Sequence, residues 1–121
     1  MKENLYPLTF QPVYKDYPWG GSRIPNRFNR DMPEGIYAES WEIADHDDGM
    51  SIISNGALEG ITLRDLLTEH AVEILGSKVS GTRFPLLIKL IDAKQKLSVQ
   101  VHPNDLTAAN FGGEAKTEMW Y

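Results

Sequence analysis

The chain has 121 residues, with twelve lysines and arginines against seventeen aspartates and glutamates and a formal net charge of −5; that is room for one domain of ordinary size, and the acid excess speaks against wrapping nucleic acid or docking on anionic lipid. It contains no cysteine, which excludes disulfides, thiolate metal centres and cysteine nucleophiles and makes a reducing cytoplasm the simplest compartment. No apolar run approaches the roughly 18–20 residues of a membrane helix, and the start, Met1-Lys2-Glu3-Asn4, lacks the apolar stretch of a secretory signal.

Residues 1–37 are rich in breakers (Pro7, Pro12, Pro18, Gly20, Gly21, Pro25, Pro33, Gly35), with short extended pieces such as Leu8–Tyr14 between turns. They read as an irregular N-terminal arm wrapping a larger core, so that residues 1–121 form a single domain whose strands and helix lie in 38–121. Ala38–Asp45 suits a strand, His46-Asp47-Asp48-Gly49 a turn, and Met50–Ser54 a second strand closed by Asn55-Gly56, a hairpin-type signal. Residues 62–75 are helical: Thr62 is placed to cap with Asp65 three residues on. Leu63, Leu66, Leu67, Ala71, Ile74 and Leu75 make one apolar stripe, and Gly76 is the stop.

The stretch 86–91, Leu-Leu-Ile-Lys-Leu-Ile, is apolar on both faces, as in a buried strand. After a polar loop, Leu97–His102 alternates cleanly: Leu97, Val99 and Val101 on one face, Ser98, Gln100 and His102 on the other. Pro103-Asn104-Asp105 ends it, Leu106–Phe111 suits one helical turn, and Gly112-Gly113 a link. Lys116–Tyr121 then reads as a further strand with Lys116, Glu118 and Trp120 on one face; the apolar end Met119-Trp120-Tyr121 suggests a chain cut inside a strand. Paired strands with polar residues aimed inward fit a small antiparallel barrel or sandwich with a ligand in its mouth.

Gln100 and His102 project from one strand face with Cα atoms about 6.5–7 Å apart, a span that two ligands of one metal can bridge. Glu118 stands on the polar face of the later run. Imidazole nitrogen and carboxylate oxygen suit Zn²⁺, Fe²⁺ or Mn²⁺, and a neutral amide oxygen would leave the ion more electrophilic than a second carboxylate. Against this stands the commoner arrangement, in which the same side chains are hydrogen-bonded groups on a solvated sheet face. Similar weighing makes His70 a surface residue of the helix and His46 and Asp47-Asp48-Gly49 a solvated turn. Trp19-Gly20-Gly21 is core filling or a pocket wall, and Lys116 is either a rim residue or a phosphate contact.

The blocks Phe84–Ala93, Leu97-Ser98-Val99-Gln100-Val101-His102-Pro103-Asn104-Asp105 and Lys116-Thr117-Glu118-Met119-Trp120-Tyr121, with Trp19-Gly20-Gly21 and Glu39-Ser40-Trp41-Glu42-Ile43 upstream in the same order, resemble type I mannose-6-phosphate isomerase over nearly the whole chain. The resemblance implies a mainly β, cupin-like (jelly-roll) sandwich or barrel, incomplete here. It implies a zinc-dependent interconversion of mannose 6-phosphate and fructose 6-phosphate, hence a small sugar phosphate as partner. Carried over by position, Gln100, His102 and Glu118 fall on zinc ligands, Lys116 on an active-site lysine, Ser98 on a pocket serine and Trp19 on an aromatic near the pocket. Family members are two to three times longer, and their second histidine ligand and an active-site arginine lie downstream of anything here. The resemblance thus covers an amino-terminal part, expected to turn over little or nothing alone. The alternatives are a non-catalytic cupin fragment that binds metal or sugar phosphate or self-associates through an exposed final strand, and an iron cupin, against which Gln100 argues.

Overall fold

A computed structural model describes residues 5–121. In chain order the elements are β1 (Phe10–Gln11), β2 (Val13–Lys15), α1 (Ile24–Arg27), β3 (Glu39–Ile43), β4 (Asp45–His46), β5 (Gly49–Met50), β6 (Ile52–Ile53), α2 (Leu63–Leu75), β7 (Ile88–Ile91) and α3 (Asp105–Ala108), which runs into a 3₁₀ turn at Ala109–Phe111. Every strand pairing is antiparallel: β2-β3-β7 form a three-stranded sheet, and β1-β6 and β4-β5 are two-stranded pairs. The fold is mainly β with few helices, and among the described residues no barrel closes.

The breaker-rich start supplies structure to the body. Val13 pairs with Trp41 and Lys15 with Glu39, while Phe10 pairs with Ile53. Between β2 and β3 the Trp19-Gly20-Gly21 turn is laid against the end of β7: Gly20 bridges Ala93, and the Gly21 amide donates to the Asp92 carbonyl at 2.8 Å. The approach is close enough that a side chain on Gly20 would meet the Ala38 backbone nitrogen at 2.8 Å. The Asp92 carboxylate, 4% exposed, accepts from the Arg23 backbone (2.8 Å) and from Arg23 Nε (2.7 Å), and the Arg23 guanidinium holds this carboxyl below its ordinary range.

The core gathers Ile53, Leu58 and Leu66, with Tyr6, Leu8, Phe10 and Ile74 packed around it. α2 enters as its sequence dictates: Thr62 is extended (φ −73, ψ 151) and its side chain accepts from the Asp65 amide at 3.1 Å, and Leu63, Leu66 and Leu67 are buried. The stripe weakens beyond a non-helical break at His70 (φ −124, ψ 24); Ala71, Ile74 and Leu75 are only half-buried. His70, at that break, is half-buried rather than a plain surface residue. The β4–β5 hairpin turns at Asp47-Asp48, where the acid-and-glycine composition places it. Its buried Asp45 accepts from Arg64 Nε (2.7 Å) and the Phe84 amide (3.1 Å) and pairs with Arg83 (3.2 Å), joining hairpin, α2 and the approach to β7.

Several expected elements differ. Leu97–His102 and Lys116–Tyr121 form no strands, because alternation becomes a strand only where a neighbour offers a ladder and none does here. Leu86–Ile91 yields β7 over 88–91, but its side chains are exposed or half-buried, with Leu86 at 60%: β7 pairs only with β3 and so stands at a sheet edge. Asn55-Gly56 does turn, with Gly56 at φ +70. It does not close a hairpin to the next strand, since β6 pairs back to β1 and Asn55 Oδ1 instead accepts from the Thr9 amide. Among the described residues no helix is long and apolar enough to cross a membrane.

Candidate functional site

The expected site residues lie mostly in 96–121, and a local reversal organises them. Pro103 precedes Asn104, whose side chain accepts from the Leu106 (3.0 Å) and Thr107 (2.9 Å) amides while Thr107 Oγ1 accepts from the Asn104 amide (3.1 Å). This capping box starts α3. The following 3₁₀ turn stops at Gly112 in the left-handed region (φ 64). The chain returns, and the Lys116 amide donates to the Pro103 carbonyl at 3.1 Å. That bond sets residues 116–118 beside 102–103.

Three expected side chains meet there. His102 Nε2 lies 2.8 Å from Glu118 Oε2, and Lys116 Nζ lies 2.8 Å from Glu118 Oε1. The His102 and Glu118 side chains each keep about a quarter of their surface open to solvent. Lys116 first, then His102, hold the Glu118 carboxyl down to about 2 by donating to its charged form. Gln100 is not joined to this trio by any hydrogen bond; its Nε2 donates to Ser98 Oγ at 2.9 Å, which leaves the amide oxygen uncommitted. Trp19 is half-buried on the body and stacks on Tyr17 at 5.7 Å. Its carbonyl accepts from the Lys94 and Gln95 amides, anchoring the loop that leads into Leu97–His102. His46 and His70 stand apart: His46 packs edge-on against Trp41, and His70 lies 4.0 Å from Glu73.

Among the described residues no three His, Cys, Asp or Glu side chains are grouped to hold a metal. His102 and Glu118 make two such donors, and the third expected donor is an amide. Sequence reasoning passed over a buried charge pair on the β3–β7 face: Glu39, 7% exposed, accepts from Trp41 Nε1 (2.7 Å) and Lys89 Nζ (2.9 Å). The two-residue spacing of Glu39 and Trp41 and the lone lysine in the apolar run 86–91 were the available signals.

Comparison with known proteins decides the family. A family model described as "Phosphomannose isomerase type I, catalytic domain" matches residues 7–119. The chain belongs to the type I phosphomannose isomerase family. Relatives include mannose-6-phosphate isomerase ManA of Bacillus subtilis, 45% identical over 117 residues, and the mannose-6-phosphate isomerase of Streptococcus mutans, 41% identical over 116; each alignment covers 95% of this chain and 36% of the relative. The crystal structure of the mannose 6-phosphate isomerase from Bacillus subtilis superposes with a TM-score of 0.78 at 41% identity, over 90% of this chain and 34% of that one. A variant of phosphomannose isomerase from Salmonella typhimurium shares the fold, at a TM-score of 0.69 and 24% identity. The cupin-type architecture of this type I chain is therefore shown, over little more than a third of the length of its curated relatives.

Proposed function

We propose that this chain carries an amino-terminal part of the active site of a mannose-6-phosphate isomerase, with Gln100, His102 and Glu118 as zinc ligands. The observation that carries the reading is the meeting of His102, Glu118 and Lys116 in a chain of this family. The donor set fits a catalytic zinc: an imidazole nitrogen, a carboxylate that stays ionised, and an amide oxygen two residues from the histidine. Zinc held there would supply a fixed positive charge for the sugar oxygens that turn negative as a proton moves between C1 and C2. The chain's own groups do the rest. Lys116, a compact ammonium donor, holds the Glu118 carboxylate in place and is within reach of a sugar hydroxyl or phosphate at the same spot. Ser98 orients the Gln100 amide by accepting its N–H, and Trp19 fixes the loop before both. The remote phosphate offers binding energy that positions the sugar. The ligand is a small sugar phosphate, and a cysteine-free chain of this kind belongs in the cytoplasm.

Metal content tests this directly. The purified chain, dialysed against micromolar zinc, is expected to retain zinc, and the His102→Ala and Glu118→Gln variants to retain at least tenfold less. Equal zinc in all three would overturn the ligand assignment. Isomerase turnover by the chain alone is expected to be at or near background. The second reading, a non-catalytic cupin fragment that binds metal or sugar phosphate, is favoured by the one-third coverage of the relatives; saturable mannose 6-phosphate binding without turnover would select it.

A further inference from the structure

Asn55-Gly56 is the only Asn-Gly pair among the 121 residues, and that dipeptide is prone to lose its side-chain amide. The glycine nitrogen attacks the side-chain carbonyl carbon of the asparagine before it, and no Cβ obstructs the approach. The fold treats the two reacting groups differently. Among the described residues the Gly56 amide donates to nothing, and Gly56 is exposed. The Asn55 side chain is held at both polar atoms: Oδ1 accepts from the Thr9 amide at 2.9 Å, and Nδ2 donates to the Pro7 carbonyl at 3.0 Å. The Tyr6 hydroxyl completes the clasp, donating to the Asn55 carbonyl at 2.7 Å and accepting from the Leu58 amide at 2.9 Å. Its ring lies so close to Gly56 that a side chain there would run into it. Residues 6–9 thus roof the turn. They are themselves exposed or half-buried, and such segments open before the fold as a whole does.

We propose that Asn55 is a self-modification site that residues 6–9 keep closed, and whose conversion releases them. While the clasp holds, the Asn55 amide cannot turn toward the Gly56 nitrogen. When residues 6–9 lift, water or hydroxide takes the Gly56 N–H proton and the nitrogen bonds to Asn55 Cγ. The Cγ–Nδ2 bond breaks, ammonia leaves with a proton from solvent, and a cyclic imide forms. Water then opens the imide to aspartate or isoaspartate at position 55. Neither product rebuilds the clasp. Aspartate sets a carboxylate oxygen against the Pro7 carbonyl, two acceptors with no proton between them. Isoaspartate routes the backbone through the former side chain and displaces the carbonyl that Tyr6 used. The same bonds carry Tyr6 and Leu8 onto the Ile53–Leu58–Leu66 core, so the change loosens that edge of the body irreversibly. The proposal stands apart from the isomerase reading and from the zinc assignment.

The test follows position 55 by peptide mass mapping while the purified 121-residue chain is kept in warm, mildly alkaline buffer. Conversion is expected to be at least tenfold slower in the folded chain than in the same chain in urea. Tyr6→Phe keeps the ring and removes both hydroxyl bonds; folded, it should convert at least threefold faster than the unaltered chain, and in urea at the same rate. Ile24→Val, which trims the buried core at α1, controls for a general loss of stability and should leave the folded rate unchanged. Equal rates folded and in urea would overturn the protection. Equal acceleration by Tyr6→Phe and Ile24→Val would show that global unfolding exposes the site, and would overturn the gating by residues 6–9. Asn55→Asp, the aspartate product made directly, tests the release: exchange of the Leu58 amide should rise at least tenfold, with the Leu66 and Leu67 amides of α2 unaltered. Unchanged exchange at Leu58 would overturn it.

Discussion

At the scale of single residues the site is an electrostatic arrangement before it is a metal centre. Glu118 accepts from Lys116 and from His102, and both interactions favour its charged form, bringing its carboxyl from 4.5 to about 2. A carboxyl whose folded value lies below its unfolded one adds stability that is present above its ordinary range and lost as pH falls through the lower value. The His102–Glu118 contact should therefore persist, on the carboxylate side, from neutral pH to about 3. Because the group lies close to solvent, its share of global stability is small, and the effect is best read locally. The side-chain carboxyl carbon of Glu118 in the metal-free chain should titrate with a midpoint near 2, and Lys116→Met should move that midpoint up toward 4.5. A midpoint at 4.5 in the unaltered chain would mean that Lys116 and His102 do not hold the carboxylate in solution.

At the scale of elements, what could be read in advance was what neighbours in sequence decide. α2 was legible because its cap, its stripe and its stop are all local: Thr62, then Leu63, Leu66 and Leu67, then Gly76. The β4–β5 turn and the α3 turn were legible for the same reason. Leu97–His102 and Lys116–Tyr121 misled because a strand is a pairing and alternation names no partner; two of the pairs expected to share a face do touch, Ser98 with Gln100 and Lys116 with Glu118. The role of the arm was also out of reach. Nothing in Trp19-Gly20-Gly21 states that its backbone lies on Ala38, Asp92 and Ala93, yet this contact positions the loop ahead of the site. Replacing Gly20 by Ala would force a methyl into the Ala38 backbone, and rigid backbone on both sides leaves little to yield. Gly20→Ala should cost about 1–3 kcal/mol in urea unfolding, whereas Gly113→Ala, with open space around it, should stay within about 0.5 kcal/mol. Equal midpoints for the two would show that the arm does not pack on β3 and β7 as described.

At the scale of the whole molecule the chain divides by how it is held. Residues 5–95 are knitted by ladders, by Asp92 with Arg23, by Asp45 with Arg64 and Arg83, and by Arg30, which bridges Tyr14, Ser40 and Glu42. Residues 96–121, which carry five of the six expected site residues, are held by hydrogen bonds and ion pairs within the segment itself. Backbone amides without acceptors exchange with solvent on opening free energies near zero, and laddered ones only on larger openings. Hydrogen exchange at neutral pH should thus be fast at 97–102 and 117–121 and slowest in β3 and the first turns of α2, with a contrast of at least a hundredfold. Added zinc should slow exchange around 100–104 and 116–118, because one ion would tie His102 to Glu118 across the reversal; the His102→Ala chain should show no such change. Protection of 97–102 equal to that of β3 in the zinc-free chain would mean that this run has already found a partner strand.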